Sequence, residues 1–140
     1  MAKAHETLQK QLDALNKHDI ATFASYYRQD ASVFDPSYPE PLQGQDAVRQ
    51  DFSEFITAFP DLRMAIDRVV EDDDTTAYEI RMSGTHTGPL VSPAGEIPAT
   101  NRKIDVKGGV FTKFDKDGRI VEERRYYDLA GMLGQLGIAP

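Results

Sequence analysis

Tyr78-Glu79-Ile80-Arg81-Met82-Ser83-Gly84-Thr85-His86 is two interleaved sets of residues. Tyr78, Ile80, Met82, Gly84 and His86 share one face; Glu79, Arg81, Ser83 and Thr85 share the other. A period of two is a strand with one side buried and one side wet. Upstream, beyond Pro60, the same period runs through Leu62, Met64, Ile66 and Val70, and the acidic run Glu71-Asp72-Asp73-Asp74 marks the turn between the two strands. Downstream, Ile104 to Phe114 predicts a third strand, with Gly108-Gly109 as a bulge or bend. Asp115-Lys116-Asp117-Gly118 is a hairpin turn, and Ile120 to Asp128 returns as a fourth strand. Residues 87 to 102 hold three prolines and two glycines and are expected to be irregular.

Ahead of these strands the period is helical. Leu8, Leu12 and Leu15 form one stripe, with Lys3, Glu6, Lys10 and Asp13 off it. His18-Asp19 is a break and a new N-cap, after which Ile20, Phe23 and Tyr27 continue a second short helix. Ala31 to Asp35 is a brief strand stopped by Pro36, and the loop to Gly44 follows. Asp46 is the expected N-cap of a third helix with Val48, Phe52, Phe55, Ile56 and Phe59 on its inner face; Pro60 ends it. Leu129, Met132, Leu133 and Leu136 predict a last short helix closed by Gly137. Helices first and four long antiparallel strands after them make one α+β domain over residues 1–140. A strongly bent sheet wrapped on helices leaves a conical cavity, a natural small-molecule pocket.

Composition bounds the function. The 140 residues hold 16 Lys+Arg against 23 Asp+Glu, a net charge of -7, which argues against a nucleic-acid or anionic-lipid partner. Zero cysteines exclude disulfides, thiolate metal sites and cysteine nucleophiles. No apolar run reaches the roughly 20 residues of a membrane span, and the first residues lack the apolar core of a signal peptide. A cytoplasmic, soluble protein is expected.

Three residues carry candidate chemistry. His86 points to the apolar side of its strand, as a proton carrier beside a possible lid or as a core histidine bonded to a neighbour. Asp128 ends the last strand on the face of Ile120, Glu122, Arg124 and Tyr126. That row is either the solvent face, with Val121 and Tyr127 packing behind it, or a polar stripe inside a cavity; Asp128 is also a plausible N-cap for the last helix. Asp35, in Val33-Phe34-Asp35-Pro36, is a carboxylate among aromatic residues whose burial would raise its pKa toward that of a general base. Its alternative role is to bond backbone amides after Pro36. His5 and His18 fall on exposed helix ends, and no metal-binding spacing exists. No phosphate loop and no Gly-x-Ser-x-Gly elbow is present.

Phe34-Asp35-Pro36, Gly44 before a helix, Phe59-Pro60-Asp61-Leu62, Gly84-Thr85-His86-Thr87-Gly88, Asp117-Gly118-Arg119-Ile120 and Tyr127-Asp128 with Gln135-Leu136-Gly137 occur in that order behind a helical start. In this the chain resembles the SnoaL-like polyketide cyclase (ester cyclase) family of the NTF2-like superfamily. The resemblance implies an α+β cone with a deep apolar pocket, a homodimer through the open sheet, and cofactor-free intramolecular aldol condensation of a hydrophobic carbonyl substrate. It implies Asp128 as acid/base, with Asp128 or His86 protonating the new alkoxide and Tyr126 or Arg124 holding the oxyanion. Phe34, Tyr78 and Met82 are further expected substrate contacts. The segment from Ala31 to Gly44 is also similar to that around the base of ketosteroid isomerase, which implies Asp35 as the base. The isomerase's oxyanion partners fall near Gln11 and Lys107, which do not match them. In the last strand, Arg124-Arg125-Tyr126-Tyr127 stands where the cyclases commonly have a tryptophan or histidine. A cationic Arg124 in the pocket would favour an anionic or enolate-bearing ligand and lower the pKa of Asp128.

The expected protein is a cofactor-independent cyclase or isomerase acting through Asp128 and His86, with Asp35 in reserve. The alternatives are a non-catalytic module for a hydrophobic ligand, and a structural or regulatory dimer if side chains fill the cavity. Asp128 facing solvent and capping the terminal helix would lose the enzymatic idea.

Overall fold

The computed structural model describes residues 2–138. Helix α1 (Ala2–Asn16) buries Leu8, Leu12 and Leu15, as their spacing requires. The Asn16 side chain grips the Met64 backbone, accepting from its N–H at 2.8 Å and donating to its carbonyl at 2.9 Å, which fixes the helix to the sheet. Asp19 caps the six-residue α2 (Ile20–Ser25) by accepting from Thr22 N–H. That helix is shorter than its periodicity suggests: Tyr27 does not continue it but opens β1 (Tyr27–Phe34). Strand β2 (Leu42–Gln43) folds back on β1. Helix α3 (Gln45–Ala58) starts from Gly44, not from Asp46, which lies in its first turn. Gly44 has φ +90, and an added Cβ would stand 3.0 Å from the Gln29 carbonyl, so no other residue fits well.

The long strands are β3 (Arg63–Asp72), β4 (Thr75–Thr85), β7 (Lys103–Phe114) and β8 (Ile120–Tyr127), antiparallel to one another. The sheet has six strands in the order β2-β1-β8-β7-β4-β3, and β1 runs parallel to β8. Residues 87 to 102 depart from expectation: β5 (Leu90–Ser92) and β6 (Gly95–Ile97) form a small hairpin outside the main sheet. Helix α4 (Leu129–Gln135) ends the described fold.

Bulges decide which way side chains face. Pairing of β7 with β4 and β8 runs without a break through Gly108-Gly109, so no bulge sits there. One lies in β3, where three steps from Asp67 to Val70 match two on β4, and Arg68 takes a positive φ. Another lies in β8. Phe114 pairs with Ile120 and Lys113 with Glu122, which leaves Val121 as the extra residue. Beyond it the inward set is Glu123, Arg125 and Tyr127, one position out of phase with Ile120.

The buried apolar residues fall into three groups. Phe23, Tyr27, Val33 and Phe52 belong to the first, Phe59, Met82, Ile104 and Met132 to the second, and Leu8, Tyr78 and Val110 to the third. Members of all three border one cavity of about 550 Å³ between the helices and the curved sheet. The side chains do not fill it, which removes the main support for a purely structural dimer.

Candidate active site

The cavity wall is mostly apolar, from α1, α3, β3, β4, α4 and the β5–β6 hairpin. Its polar floor comes from elements far apart in sequence. The end of β1 brings Asp35, the following loop Ser37 and Tyr38, α3 brings Asp51, and the inward face of β8 brings Glu123, Arg125 and Tyr127.

Arg125 is the centre. Its side chain is 9% exposed, and its Nη1 lies 3.0 Å from Asp35 Oδ2 and 3.0 Å from Asp51 Oδ2. Its Nε donates to Glu123 Oε2 at 2.8 Å. The guanidinium also lies 4.9 Å from the centre of the Phe52 ring, a cation–π contact. Nη2 has no hydrogen-bond partner among the described residues. Each carboxylate has further donors. Tyr27 OH donates to both oxygens of Glu123, at 2.8 and 2.9 Å. Tyr38 OH donates to Asp51 Oδ1 at 2.6 Å. Asp35 Oδ1 accepts from Tyr127 OH at 2.7 Å, Ser37 OH at 2.7 Å and Ser37 N–H at 2.9 Å.

These contacts pull the two aspartates apart electrostatically. Burial works to raise the pKa of Asp35, but Arg125, Ser37 and Tyr127 outweigh it and hold the carboxyl below its ordinary value. The upward shift expected from burial alone is therefore reversed. For Asp51 burial is the largest influence and the charge of Asp35 adds to it, so its pKa rises despite Arg125 and Tyr38. Burial and nearby carboxylates push the phenols of Tyr38 and Tyr127 upward, which keeps them donors. Burial works against the charge of Arg125, but Glu123, Tyr27, Asp51 and Asp35 more than restore it. Two carboxyls with opposed shifts on one cation form an acid–base pair in outline.

The other expected residues are distributed differently. Tyr78 and Met82 line the cavity, on the face their alternation assigns. Asp128 is exposed, outside the cavity lining, and its Oδ1 accepts from Gly131 N–H at 2.8 Å as the N-cap of α4. By the criterion set from the sequence the enzymatic idea is lost with Asp128, and an enzyme can be proposed only on other groups. Arg124 and Tyr126 lie on the outer face of the sheet, because the Val121 bulge reverses the phase of β8. Arg124 lies 4.4 Å over the Phe34 ring, and Tyr126 meets Phe111 edge-on, so neither these two nor Phe34 borders the cavity.

His86 is fully buried but also outside the lining. Its Nδ1 accepts from Thr100 N–H at 3.2 Å and meets Thr100 Oγ1 at 3.0 Å, and its ring lies 5.3 Å from that of Phe59. Burial lowers its pKa, offset in part by the Gly88 backbone. It ties the roots of the β5–β6 hairpin together, since its backbone also bonds Arg102 and Asn101. The polar residues not foreseen are Asp51, Glu123, Arg125 and Tyr38. Asp51 carries a readable signal: it sits at the helical spacing of Val48, Phe52 and Phe55, a charge inside an apolar stripe.

A family model described as SnoaL-like polyketide cyclase matches residues 5–136. A search of curated proteins finds no match. Among solved structures, the chain is similar to a SnoaL-like polyketide cyclase from Jannaschia sp. CCS1, with TM-score 0.84, 17% identity, 99% of this chain and 94% of that one covered. It is similar to IdmH from Streptomyces antibioticus, described as a polyketide cyclase, with TM-score 0.75, 24% identity, and 96% and 99% covered. A protein with a ketosteroid isomerase-like fold from Catenulispora acidiphila DSM 44928, in complex with trimethylamine, matches with TM-score 0.76 and 14% identity over 94% and 92%. At these identities the structures establish the fold, an NTF2-like α+β cone.

Proposed function

We propose, since the chain belongs to the SnoaL-like polyketide cyclase family, that it is a cytoplasmic, cofactor-independent acid/base enzyme. It takes an activated C–H proton from a small apolar carbonyl compound, leading to intramolecular aldol cyclisation or isomerisation. The observation that carries this reading is the polar cluster of Asp35, Asp51 and Arg125 at the floor of an otherwise apolar cavity. Its volume of about 550 Å³ lies within the roughly 300–1,000 Å³ of small-molecule sites.

Asp35 is the base in this reading, in the place the isomerase resemblance implies. Its lowered pKa suits only a C–H between two carbonyls, whose proton a weak base can take. The apolar walls hold the chain so that the enolate carbon faces the acceptor carbonyl, lowering the entropic part of the barrier. Tyr78 and Met82 contribute to those walls. Asp128 and His86 act on the structure, through the cap of α4 and the root of the hairpin.

A homodimer through the outer sheet face belongs to the same proposal. Phe111 is 49% exposed and Tyr126 54%, adjacent on β7 and β8, a pair that a second copy would cover.

A second reading, a binding module for a hydrophobic ligand, is favoured by the four donors already engaged on Asp35. Hydrogen exchange at carbon separates the two. NMR in D2O on 1,3-dicarbonyl compounds is expected to show α-proton loss above the buffer rate in the enzyme. Saturable binding of the same compounds with no exchange would select the binding module.

A further inference from the structure

We propose that Asp51 carries a transferable proton in the resting cavity and donates it to the substrate oxygen that becomes negative after Asp35 takes a carbon-bound proton. This deepens the carbon-acid reading above and rests on it for the chemical step, though the resting proton does not.

Asp35, Asp51 and Glu123 all face one guanidinium at the floor of a mostly apolar cavity. Fully ionised, they would leave two uncompensated negative charges in a site shielded from water, which is costly. Taking up one proton halves that excess. The donors decide where it goes, because an ionised carboxylate is stabilised by each N–H or O–H aimed at it. Asp35 accepts from Arg125, Tyr127, Ser37 OH and Ser37 N–H. Glu123 accepts from Arg125 and, through both oxygens, from Tyr27. Asp51 accepts only from Arg125 and Tyr38 among the hydrogen bonds of the cluster. Its two donors are half those of Asp35 and equal in number to those of Glu123, but it shares Arg125 Nη1 with Asp35 whereas Glu123 has Nε to itself, and it keeps lone pairs on both oxygens for a proton. Its pKa is raised by burial and by Asp35, in the same direction.

The step balances within the cluster. Asp35 takes the proton from carbon, and the C–H electron pair remains on the substrate as the enolate. The enolate carbon bonds the acceptor carbonyl carbon, whose π pair moves onto oxygen as an alkoxide. Asp51 gives its proton to that oxygen. Asp35 is then neutral and Asp51 ionised, and one proton moving from Asp35 to Asp51 restores the resting state. No oxidant, reductant or other reactant enters.

The test reads protonation directly, with no substrate. The protein is made with 13C at the aspartate carboxyl carbons, and its NMR spectrum is followed against pH. One aspartate carboxyl is expected to be still neutral at a pH where the exposed aspartates have ionised. That signal is absent from Asp51→Asn, is shifted in Tyr38→Phe, and titrates lower in Asp35→Asn. If Asp51→Asn does not fold, the wild-type and Tyr38→Phe spectra still decide. No neutral aspartate carboxyl at that pH, or one that survives in Asp51→Asn and vanishes in Asp35→Asn, overturns the proposal. A proton found on Asp51 in a protein that exchanges no carbon acid leaves the resting proton standing and overturns the carbon-acid function together with the donation step.

Discussion

Arg125 is a buried cation whose whole surroundings are arranged to keep it charged. Removing it strands Asp35, Asp51 and Glu123 against one another, and breaking buried ion pairs in this way costs about 3–5 kcal/mol. Arg125→Met is expected to lower unfolding stability by that order in urea titrations. Arg125→Lys keeps the charge but cannot reach Nε and Nη1 partners together, so it recovers part of the loss. His86 supplies a pH dependence whose sign follows from its lowered pKa. Between the unfolded value of 6.5 and the lower folded one, the unfolded chain binds the extra proton, so stability falls as pH falls through this window. His86→Gln removes that slope. Thermal unfolding at a series of pH values measures both.

At the scale of elements, one extra residue in β8 determines what the site contains. Strict alternation from Ile120 places Arg124, Tyr126 and Asp128 inward, and the bulge at Val121 exchanges that row for Glu123, Arg125 and Tyr127. The strands and helices were legible because their periods differ and because Pro36 and Pro60 interrupt them. The phase of β8 was not, because a bulge depends on pairing with β1 and β7, which no local pattern records. The β5–β6 hairpin was hidden among prolines for the same reason. Tyr78 and Met82 lie on an uninterrupted stretch of β4 and were placed correctly by alternation.

The same scale carries two predictions. Asp128→Ala removes the cap of α4 and is expected to cost about 1 kcal/mol of stability, with ligand affinity and proton exchange unchanged. Calorimetry beside an exchange assay checks it. Gly88 sits against the Thr57 carbonyl, where any Cβ would collide. Gly88→Ala is expected to push the hairpin root off the end of α3 at about 1–3 kcal/mol, seen as faster amide exchange across residues 88–99.

At the scale of the molecule, a cone of helices and curved sheet keeps its central space open, and the polar groups at its floor come from β1, its following loop, α3 and β8. The acidic balance of the chain, -7, is echoed inside, where carboxylates outnumber the one guanidinium. Such a site favours neutral carbonyl ligands over carboxylates, the reverse of what a cavity-facing Arg124 would select. On the outer face, a homodimer formed as proposed would be split by Phe111→Glu, which is expected to sediment as a monomer with cavity binding retained. An unchanged dimer would move the interface elsewhere.

Carbon-acid chemistry, as proposed, runs through Asp35 in the cavity and not through Asp128 on the surface. The most direct measurement is α-proton exchange in D2O on a bound 1,3-dicarbonyl compound, compared across wild type, Asp35→Asn and Asp128→Asn. Exchange is expected in wild type and Asp128→Asn, with a fall to the buffer rate in Asp35→Asn. Exchange that survives in Asp35→Asn and is lost in Asp128→Asn would contradict it.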